Sequence, residues 1–223
     1  MKPFISVFEG LDRTGKTTQI NRVYSFIKKN YPEVVCIQTK DPGGTDFGKE
    51  IRNILLHKDV DFQTITEYFL FVADRYENIH QQILQQSPVK DNTIILYDRS
   101  HFSSFAYQVY PILRKKFKTL NERKFLGIDK QIGKLLFSLY NPNIIFYFKK
   151  RISENSQSIT NPDKIEKRSN NYFNAVAQGY EKGFHYYKNF RNRVIPLFFE
   201  DGIERNEEKI IGLLSKLFLE KIK

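Results

Sequence analysis

The sequence predicts an α/β fold in which a parallel sheet of five strands is flanked by helices. Short apolar runs alternate with longer stretches in which apolar residues recur every three or four positions. This alternation is typical of β-α-β units, which place their strands side by side in parallel. The chain has 223 residues, of which 40% are hydrophobic, and this is enough for one such domain with a sizeable core.

Each element has its own pattern, bounded by turn residues or proline. Strands are predicted at residues 4–8, 34–38, 93–97, 144–148 and 194–199. Helices are predicted at residues 20–27, 51–55, 64–86, 102–109, 132–139, from about 164 to 180, and 210–218. In the third of these helices, Phe69 and Val72 fall on the apolar face, while Phe71, Asp74 and Arg75 fall on another side.

Two polar segments interrupt this pattern. Residues 149–162 lose periodicity and gain Ser, Asn and Lys, which predicts an exposed, mobile loop. The basic stretch 114–118 is most simply a solvated helix face.

Composition limits the partners and the compartment. The net charge of +11 favours anionic partners such as nucleotides, nucleic acid or a membrane surface. Cys36 is the single cysteine and lies in an apolar run, so a buried thiol in a reducing compartment is expected. Because no apolar stretch approaches the length of a membrane span, we expect a soluble, cytoplasmic protein.

The segment from residue 10 to 17 reads G-L-D-R-T-G-K-T and lies between a predicted strand and a predicted helix. This is the phosphate-binding pattern G-x-x-x-x-G-K-[ST] in its required context. Gly10 and Gly15 allow turns in which backbone N–H groups converge on phosphate oxygens. Lys16 supplies a charge for the β- and γ-phosphates, and Thr17 a hydroxyl for Mg²⁺. The segment therefore predicts a nucleoside triphosphate site.

A carboxylate completes the predicted magnesium site. Asp98 directly follows the apolar run 93–97, where acids linked to Mg²⁺ lie in folds of this class. Thr17 and Asp98 are therefore the candidate Mg²⁺ residues.

Six segments in a fixed order resemble the thymidylate kinase family of P-loop nucleoside monophosphate kinases. They read FEGLDRTGKTTQ at 8–19, DPGGT at 41–45, IRNILL at 51–56, LFVADR at 70–75, DRSHFSSFAYQ at 98–108 and DKIE at 163–166. The resemblance implies a three-layer P-loop NTPase fold over residues 1–223, with a lid at about 149–165. It also implies a homodimer that transfers phosphate from MgATP to dTMP in dTTP biosynthesis, without nucleic-acid or membrane partners.

The resemblance assigns residues to both substrates. The ATP-binding residues would be Gly10, Leu11, Asp12, Arg13, Thr14, Gly15, Lys16, Thr17 and Thr18. The dTMP-binding residues would be Asp12, Pro42, Phe71, Arg75, Arg99, Ser103, Ser104, Tyr107 and Gln108. Lys16, Arg13 and Arg99 would be catalytic, with Arg99 gripping the acceptor phosphate and Arg13 reaching the transferring phosphoryl group.

Further roles follow from the resemblance. Phe71 would stack on the base, Arg75 would donate to the thymine O4, and Ser104 would contact the thymine edge. Tyr107 would crowd the sugar C2′ and disfavour ribonucleotides. Asp12 would contact the sugar 3′-hydroxyl.

The chain departs from the family pattern at several positions. Lys40-Asp41 replaces the usual Arg-Glu, so that a planar fork becomes a point charge. Ser100 replaces the usual Tyr after Asp-Arg. In the expected lid, Lys164 replaces an Arg and Arg151 is the single arginine, which favours Arg13 in the role that a lid arginine has elsewhere.

Three alternatives remain open at this point. Glu166 matches the acid at the end of the family lid, although a carboxylate at a helix start has the same appearance. Ser100 favours a deoxynucleoside kinase that phosphorylates thymidine, whereas the DPGGT and AYQ segments favour a monophosphate acceptor. The net charge is also compatible with a nucleic-acid-binding or regulatory ATPase.

Overall fold

A parallel sheet of five strands forms the centre of the computed structural model, which describes residues 3–85, 91–114, 120–150, 164–165 and 167–222. The strands are β1 (Phe4–Gly10), β2 (Val35–Lys40), β3 (Thr93–Asp98), β4 (Ile144–Lys149) and β5 (Val194–Phe198). Their order is β2-β3-β1-β4-β5, and every neighbouring pair is parallel. The five predicted strands are confirmed.

Helices follow the strands as the periodicity predicts. They are α1 (Lys16–Asn30), α2 (Asp46–Leu56), α3 (Thr64–Ile79), α4 (His101–Ser104), α5 (Tyr110–Arg114), α6 (Leu120–Tyr140), α7 (Asn170–Tyr186) and α8 (Ile203–Leu217). A π-helical turn at His80–Leu84 continues α3, and another at Phe105–Val109 joins α4 to α5.

The predicted start of α7 is wrong. The helix was expected from about Lys164 but begins at Asn170. Ser169 has extended backbone geometry, and its hydroxyl accepts a hydrogen bond from the Tyr172 N–H at 3.3 Å. This N-cap satisfies a backbone donor that the helix itself leaves without a partner, and so it fixes the first turn.

The helices cover both faces of the sheet, which confirms the three-layer architecture. α1 and α8 cover one face, where Phe8, Leu96 and Phe146 belong to the buried core. Helices α2 to α7 cover the other face over Val7 and Tyr97. Alternate residues of a strand point to opposite faces, so each central strand contributes to both cores. Cys36 is a buried free thiol in β2, as predicted.

The buried face of α3 differs from the one that its apolar spacing indicates. Phe69 is 45% exposed, whereas Asp74, Arg75 and Asn78 are buried. These three side chains form hydrogen bonds to the segment that follows β2. These bonds replace the ones to water that the side chains lose on burial. The interior next to α3 is therefore polar, and apolar periodicity could not reveal it.

Helix α7 packs closely against the π-helical turn Phe105–Val109. A Cβ atom added to Gly179 would lie 2.8 Å from the Ala106 Cα, closer than real side chains approach a backbone. Only glycine therefore fits at position 179. The close packing brings the next residue, Tyr180, to the end of β1, where its hydroxyl donates to the Gly10 carbonyl. Within the described ranges, no helix is long and apolar enough to cross a membrane.

Candidate functional site

A cavity of about 460 Å³ lies at the carboxyl ends of β1, β2 and β3. Parallel α/β sheets place their ligands outside the carboxyl ends of the strands. Its lining consists of Asp12, Arg13, Gly15, Lys16, Thr17, Thr18, Lys40, Asp41, Pro42, Arg52, Leu56, Phe71, Arg75, Asp98, Arg99, Ser103, Ser104, Tyr107, Gln108 and Ile165. Six of these side chains are basic and three are acidic, so the cavity suits anionic ligands.

The phosphate loop, residues 10–17, connects β1 to α1 in the predicted conformation. Gly10 and Gly15 both have positive φ angles, of 138° and 87°. A Cβ atom on Gly10 would overlap the Phe148 carbonyl oxygen of β4, so both the backbone angle and the space require glycine here. The Thr14 hydroxyl donates to the Leu11 carbonyl at 2.8 Å and closes the loop on itself.

Lys16 is buried at the first position of α1 and folds back over the loop. Its Nζ donates to the carbonyls of Gly10 at 3.1 Å and Leu11 at 2.5 Å. Burial, followed by the positive charge of Arg99, lowers the pKa of Lys16 to about 8, against the opposing effect of Asp12 and other acids. The ammonium group is therefore weakly compensated, and a bound polyphosphate would restore its charge balance.

Arg99 connects the end of β3 to the phosphate loop. Its guanidinium donates to the Gly10 carbonyl and the Tyr180 hydroxyl, both at 3.0 Å, and forms an ion pair with Asp12. Tyr107 donates to the other Asp12 oxygen at 3.2 Å. Burial raises the pKa of Asp12, but the charges of Arg99 and Lys16 outweigh it, so that the net shift is downward. Asp12 is therefore a carboxylate with polar contacts on both oxygens.

Arg75 lies in the opposite wall of the cavity and is held by a fully buried partner. Its Nε donates to Asp41 at 2.7 Å, and one terminal nitrogen donates to the Ser104 hydroxyl at 2.8 Å. Tyr97 and Asn78 donate to the same carboxylate at 2.8 and 2.7 Å. Burial raises the pKa of Asp41, and these donors oppose that effect. Two fixed contacts set the plane of the Arg75 guanidinium.

Asp74 is a second buried carboxyl group beside this pair. It accepts a hydrogen bond from the Gly43 N–H at 3.1 Å, and among the described residues its other oxygen has no partner. Burial, followed by the neighbouring charge of Asp41, raises the pKa of Asp74 to about 7. Protonated Asp74 would relieve the repulsion between the two carboxyl groups.

Thr17 and Asp98 fit a magnesium ion. The Thr17 hydroxyl lies 3.4 Å from Asp98 Oδ2, and within the described part of the chain the buried Asp98 Oδ1 has no hydrogen-bond partner. A carboxylate and a hydroxyl are the oxygen ligands that Mg²⁺ takes alongside substrate phosphates and water. The orphaned oxygen is the observation that favours a cation at this position.

The structure brings the sequence-predicted residues together around one cavity. Fifteen of them line it: Asp12, Arg13, Gly15, Lys16, Thr17, Thr18, Pro42, Phe71, Arg75, Asp98, Arg99, Ser103, Ser104, Tyr107 and Gln108. The other three, Gly10, Leu11 and Thr14, do not line it, and they shape the loop through their carbonyls and hydroxyl. Arg151 and Glu166 lie outside the described residues.

The expected lid is described only at its ends. Lys164 does not line the cavity; it donates to the Val60 carbonyl and lies 3.5 Å from Asp61. Ile165, the next residue, lines the cavity. The end of this segment is therefore held against the loop that precedes α3.

Sequence reasoning missed several groups. Arg52 lines the cavity and donates to the Pro42 carbonyl at 3.2 Å. Its segment, IRNILL, carried the family resemblance, but no role was assigned to it. Asp41 was noted only as a departure, although it holds Arg75. Glu9 and Tyr180 lie behind the lining, and their bonds to Ser100 and Arg99 are between segments far apart in sequence, so no local pattern could have revealed them.

Comparisons with known proteins agree with one another. The family model described as thymidylate kinase matches residues 8–210. A thymidylate kinase of Sulfurihydrogenibium sp. is 35% identical over 193 residues, which is 81% of this chain and 85% of that protein. Another, of Kosmotoga olearia, is 34% identical over 79% of both chains. The crystal structure of a thymidylate kinase from Ehrlichia chaffeensis has a TM-score of 0.69 at 22% identity and covers 96% of this chain and 99% of its own.

Proposed function

Because the chain belongs to the thymidylate kinase family of nucleoside monophosphate kinases, we propose that it transfers the γ-phosphoryl group of MgATP to dTMP, giving dTDP and ADP. One observation carries the proposal at the level of the site. The phosphate-loop Lys16, the strand-end Arg99 and the pair Phe71 and Arg75 of α3 line the same cavity. A donor and an acceptor can therefore meet inside it.

The reaction requires two polyanions to be held end to end. Lys16 would leave the loop carbonyls for the β- and γ-phosphates of the donor, since charged oxygens are better acceptors than neutral ones. Arg99 and Arg52 would bind the acceptor phosphate. Arg13, which lines the cavity next to Asp12, would stabilise the charge on the transferring group. No covalent intermediate is needed, because positioning and neutralisation supply the rate enhancement.

Thr17 and Asp98 would hold Mg²⁺, which when bound neutralises the phosphate oxygens. Asp12, already fixed by Arg99, would accept a hydrogen bond from the sugar 3′-hydroxyl. Tyr107, which donates to Asp12 and lines the cavity, would lie against the sugar C2′. These contacts favour a deoxyribonucleotide.

The base would lie between Phe71 and Arg75. Phe71 lines the cavity on the same side of α3 as Arg75, four positions later. Asp41 and Ser104 hold the guanidinium, so it can donate to the thymine O4 without losing side-chain freedom on binding. Gln108 lines the same wall, and among the described residues its buried amide nitrogen has no partner, which makes it a further donor for the base.

The deoxynucleoside kinase alternative gains no support. It depended on Ser100, which is fully buried against Glu9 and does not line the cavity. Its hydroxyl therefore does not face an acceptor. None of the relatives described above is named as a deoxynucleoside kinase.

The proposed reaction is tested with dTMP, dUMP, dCMP and thymidine as acceptors in a coupled ADP-release assay. We expect the highest kcat/KM with dTMP, and phosphorylation of thymidine alone would overturn the proposal. Phe71→Leu should raise the KM for dTMP about tenfold by removing the stacking surface. Phe26→Leu is a matched control, because Phe26 is likewise half-buried but packs against the core on the other face of the sheet, and it should leave this KM unchanged.

Three further proposals complete this function. The chain acts as one domain, and the segment at about 149–165 is the lid over the donor; Lys164 anchors its end to Val60, and Ile165 lines the cavity. The enzyme is a homodimer through the exposed apolar side chains of α3 and α6, including Tyr76, Ile128 and Leu135. Leu135→Glu should halve the mass measured by light scattering. A cytoplasmic role in dTTP biosynthesis agrees with a single cysteine, Cys36, that is buried and forms no disulfide.

A further inference from the structure

Glu9 is a fully buried carboxyl group at the end of β1, one residue before the phosphate loop. A buried carboxylate is costly unless hydrogen bonds replace its hydration. Three bonds do so: the Ser100 N–H at 2.7 Å, the Ser100 hydroxyl at 2.6 Å and the Ser103 hydroxyl at 2.7 Å. Each of them comes from the segment that directly follows Arg99.

These bonds lie beside the Arg99 turn and one of its side-chain contacts. Arg99 has a φ of 71°, a conformation that is uncommon for residues with side chains and that persists only when its surroundings enforce it. Glu9 holds the next backbone N–H, at Ser100. It also holds Ser103, whose hydroxyl accepts a hydrogen bond from the Arg99 guanidinium at 3.3 Å. The same carboxylate thus restrains both the turn and one contact of the arginine.

We propose that Glu9 is a positioning residue that acts through Arg99. The Ser100 hydroxyl takes part by donating a hydrogen bond to Glu9. Glu9 does not line the cavity, so it would not touch substrate. The inference rests on the proposed role of Arg99 at the acceptor phosphate. The Ser100 side chain is fully buried, and its hydroxyl is bonded to Glu9, so the proposal gives this serine a role behind the cavity.

A double-mutant cycle tests this. Glu9→Gln keeps the shape of the side chain but replaces an acceptor oxygen with an amide donor that faces the donors of Ser100 or Ser103. It should lower kcat/KM for dTMP about 30-fold, as expected when a reacting group is misplaced. Arg99→Ala should lower kcat/KM about 1000-fold. If Glu9 acts through Arg99, the double variant should match Arg99→Ala within about threefold. A double variant reduced by the product of the two factors would overturn the proposal.

The matched control is Glu67→Gln, the same substitution at another buried glutamate, on α3, that is paired with Arg168. Whatever its own effect, it should multiply with that of Arg99→Ala, because Glu67 has no contact with the Arg99 turn. If it also lost its effect in the Arg99→Ala background, the non-additivity would not be specific to Glu9 and the proposal would fail.

Ser100→Ala gives the same test with a smaller change. It removes one of the three bonds, so an effect of about fivefold is expected that disappears in the Arg99→Ala background. If Glu9→Gln does not fold, this cycle decides, and a multiplicative result overturns the proposal. An Arg99→Ala enzyme with unchanged kcat/KM would instead refute the role of Arg99 on which the inference rests.

Discussion

The two ends of the cavity are built in different ways. At the phosphate loop, the ammonium group of Lys16 is bonded to neutral carbonyls, and the guanidinium of Arg99 is bonded to Asp12 at the cavity surface. At the opposite wall, the ion pair of Arg75 and Asp41 is almost completely buried, with 1% and 0% of the side chains exposed.

This difference indicates that the phosphate loop takes part in phosphoryl transfer and that the opposite wall recognises the acceptor. Neutral carbonyls are weaker acceptors than phosphate, so the cation of the phosphate loop can exchange partners when a nucleotide binds. In the buried pair, Arg75 is already bonded to a carboxylate, so it does not exchange partners on binding, and its geometry is set when the protein folds. We therefore expect changes at the loop to act on turnover and changes at the wall to act on stability and on acceptor binding.

The largest expected effect is at the loop. Lys16→Ala removes the charge directed at the β- and γ-phosphates, and kcat should fall about 1000-fold. The dissociation constant for dTMP, measured by calorimetry, should change less than about twofold. Lys49→Ala is the control, since Lys49 is an exposed lysine paired with Asp46, and it should retain full turnover. Unchanged turnover in Lys16→Ala would refute the assignment.

At the wall, Asp41→Asn leaves the buried guanidinium of Arg75 without a countercharge. The free energy of unfolding should fall by about 3 kcal/mol, and the KM for dTMP should rise. Urea denaturation measures the first effect. Asp46→Asn breaks the exposed pair with Lys49 and should cause no measurable loss. Similar losses in both variants would show that the wall is not specially preorganised.

Asp74 gives a pH-dependent test of the same wall. Burial and Asp41 raise its folded pKa from 3.8 to about 7, so the folded protein binds more protons between those values and loses stability as pH rises through that window. Asp74→Asn cannot ionise, and it should be more stable than the parent protein by about 2 kcal/mol at pH 8. The advantage should fall as the pH is lowered through that window and disappear below about pH 3.8, and an equal advantage at both ends of the window would contradict it.

The smallest expected effect is the titration of Lys16 in the free enzyme. With its pKa lowered to about 8, Lys16 loses its proton as pH rises above that value. The kcat/KM for ATP should then fall about tenfold per pH unit, as expected for a cation that binds phosphate only when protonated. A profile that stays level to pH 9.5 would show that Lys16 keeps an ordinary pKa.

The same contrast explains what the sequence could predict. The phosphate loop is contiguous, and its chemistry depends on residue types at fixed spacing, so eight positions suffice to identify it. The wall is assembled from β2, β3 and α3. The pattern of α3 placed Phe71 and Arg75 together, but nothing in it indicated that Arg75, Asn78 and Tyr97 would all donate to the carboxylate of Asp41. Predicting contacts between distant segments requires the register of the sheet, which cannot be derived from a single sequence.

The errors have the same origin. The apolar spacing of α3 selected Phe69, which is exposed, because amphipathic reasoning assumes an apolar interior. The start of α7 was placed too early, because the helical spacing does not show where the Ser169 cap lies. Both concern the boundary between core and site, where polar side chains replace apolar ones inside the protein.

Gly179 shows how a residue outside the site can determine the position of a side chain that holds the site together. An alanine scan of the cavity lining would not include it, because Gly179 does not line the cavity. One added methyl group would push α7 away from Ala106 and withdraw Tyr180 from Arg99 and the Gly10 carbonyl. A search for activity-reducing variants should therefore include substitutions that add atoms between helices, far from any substrate.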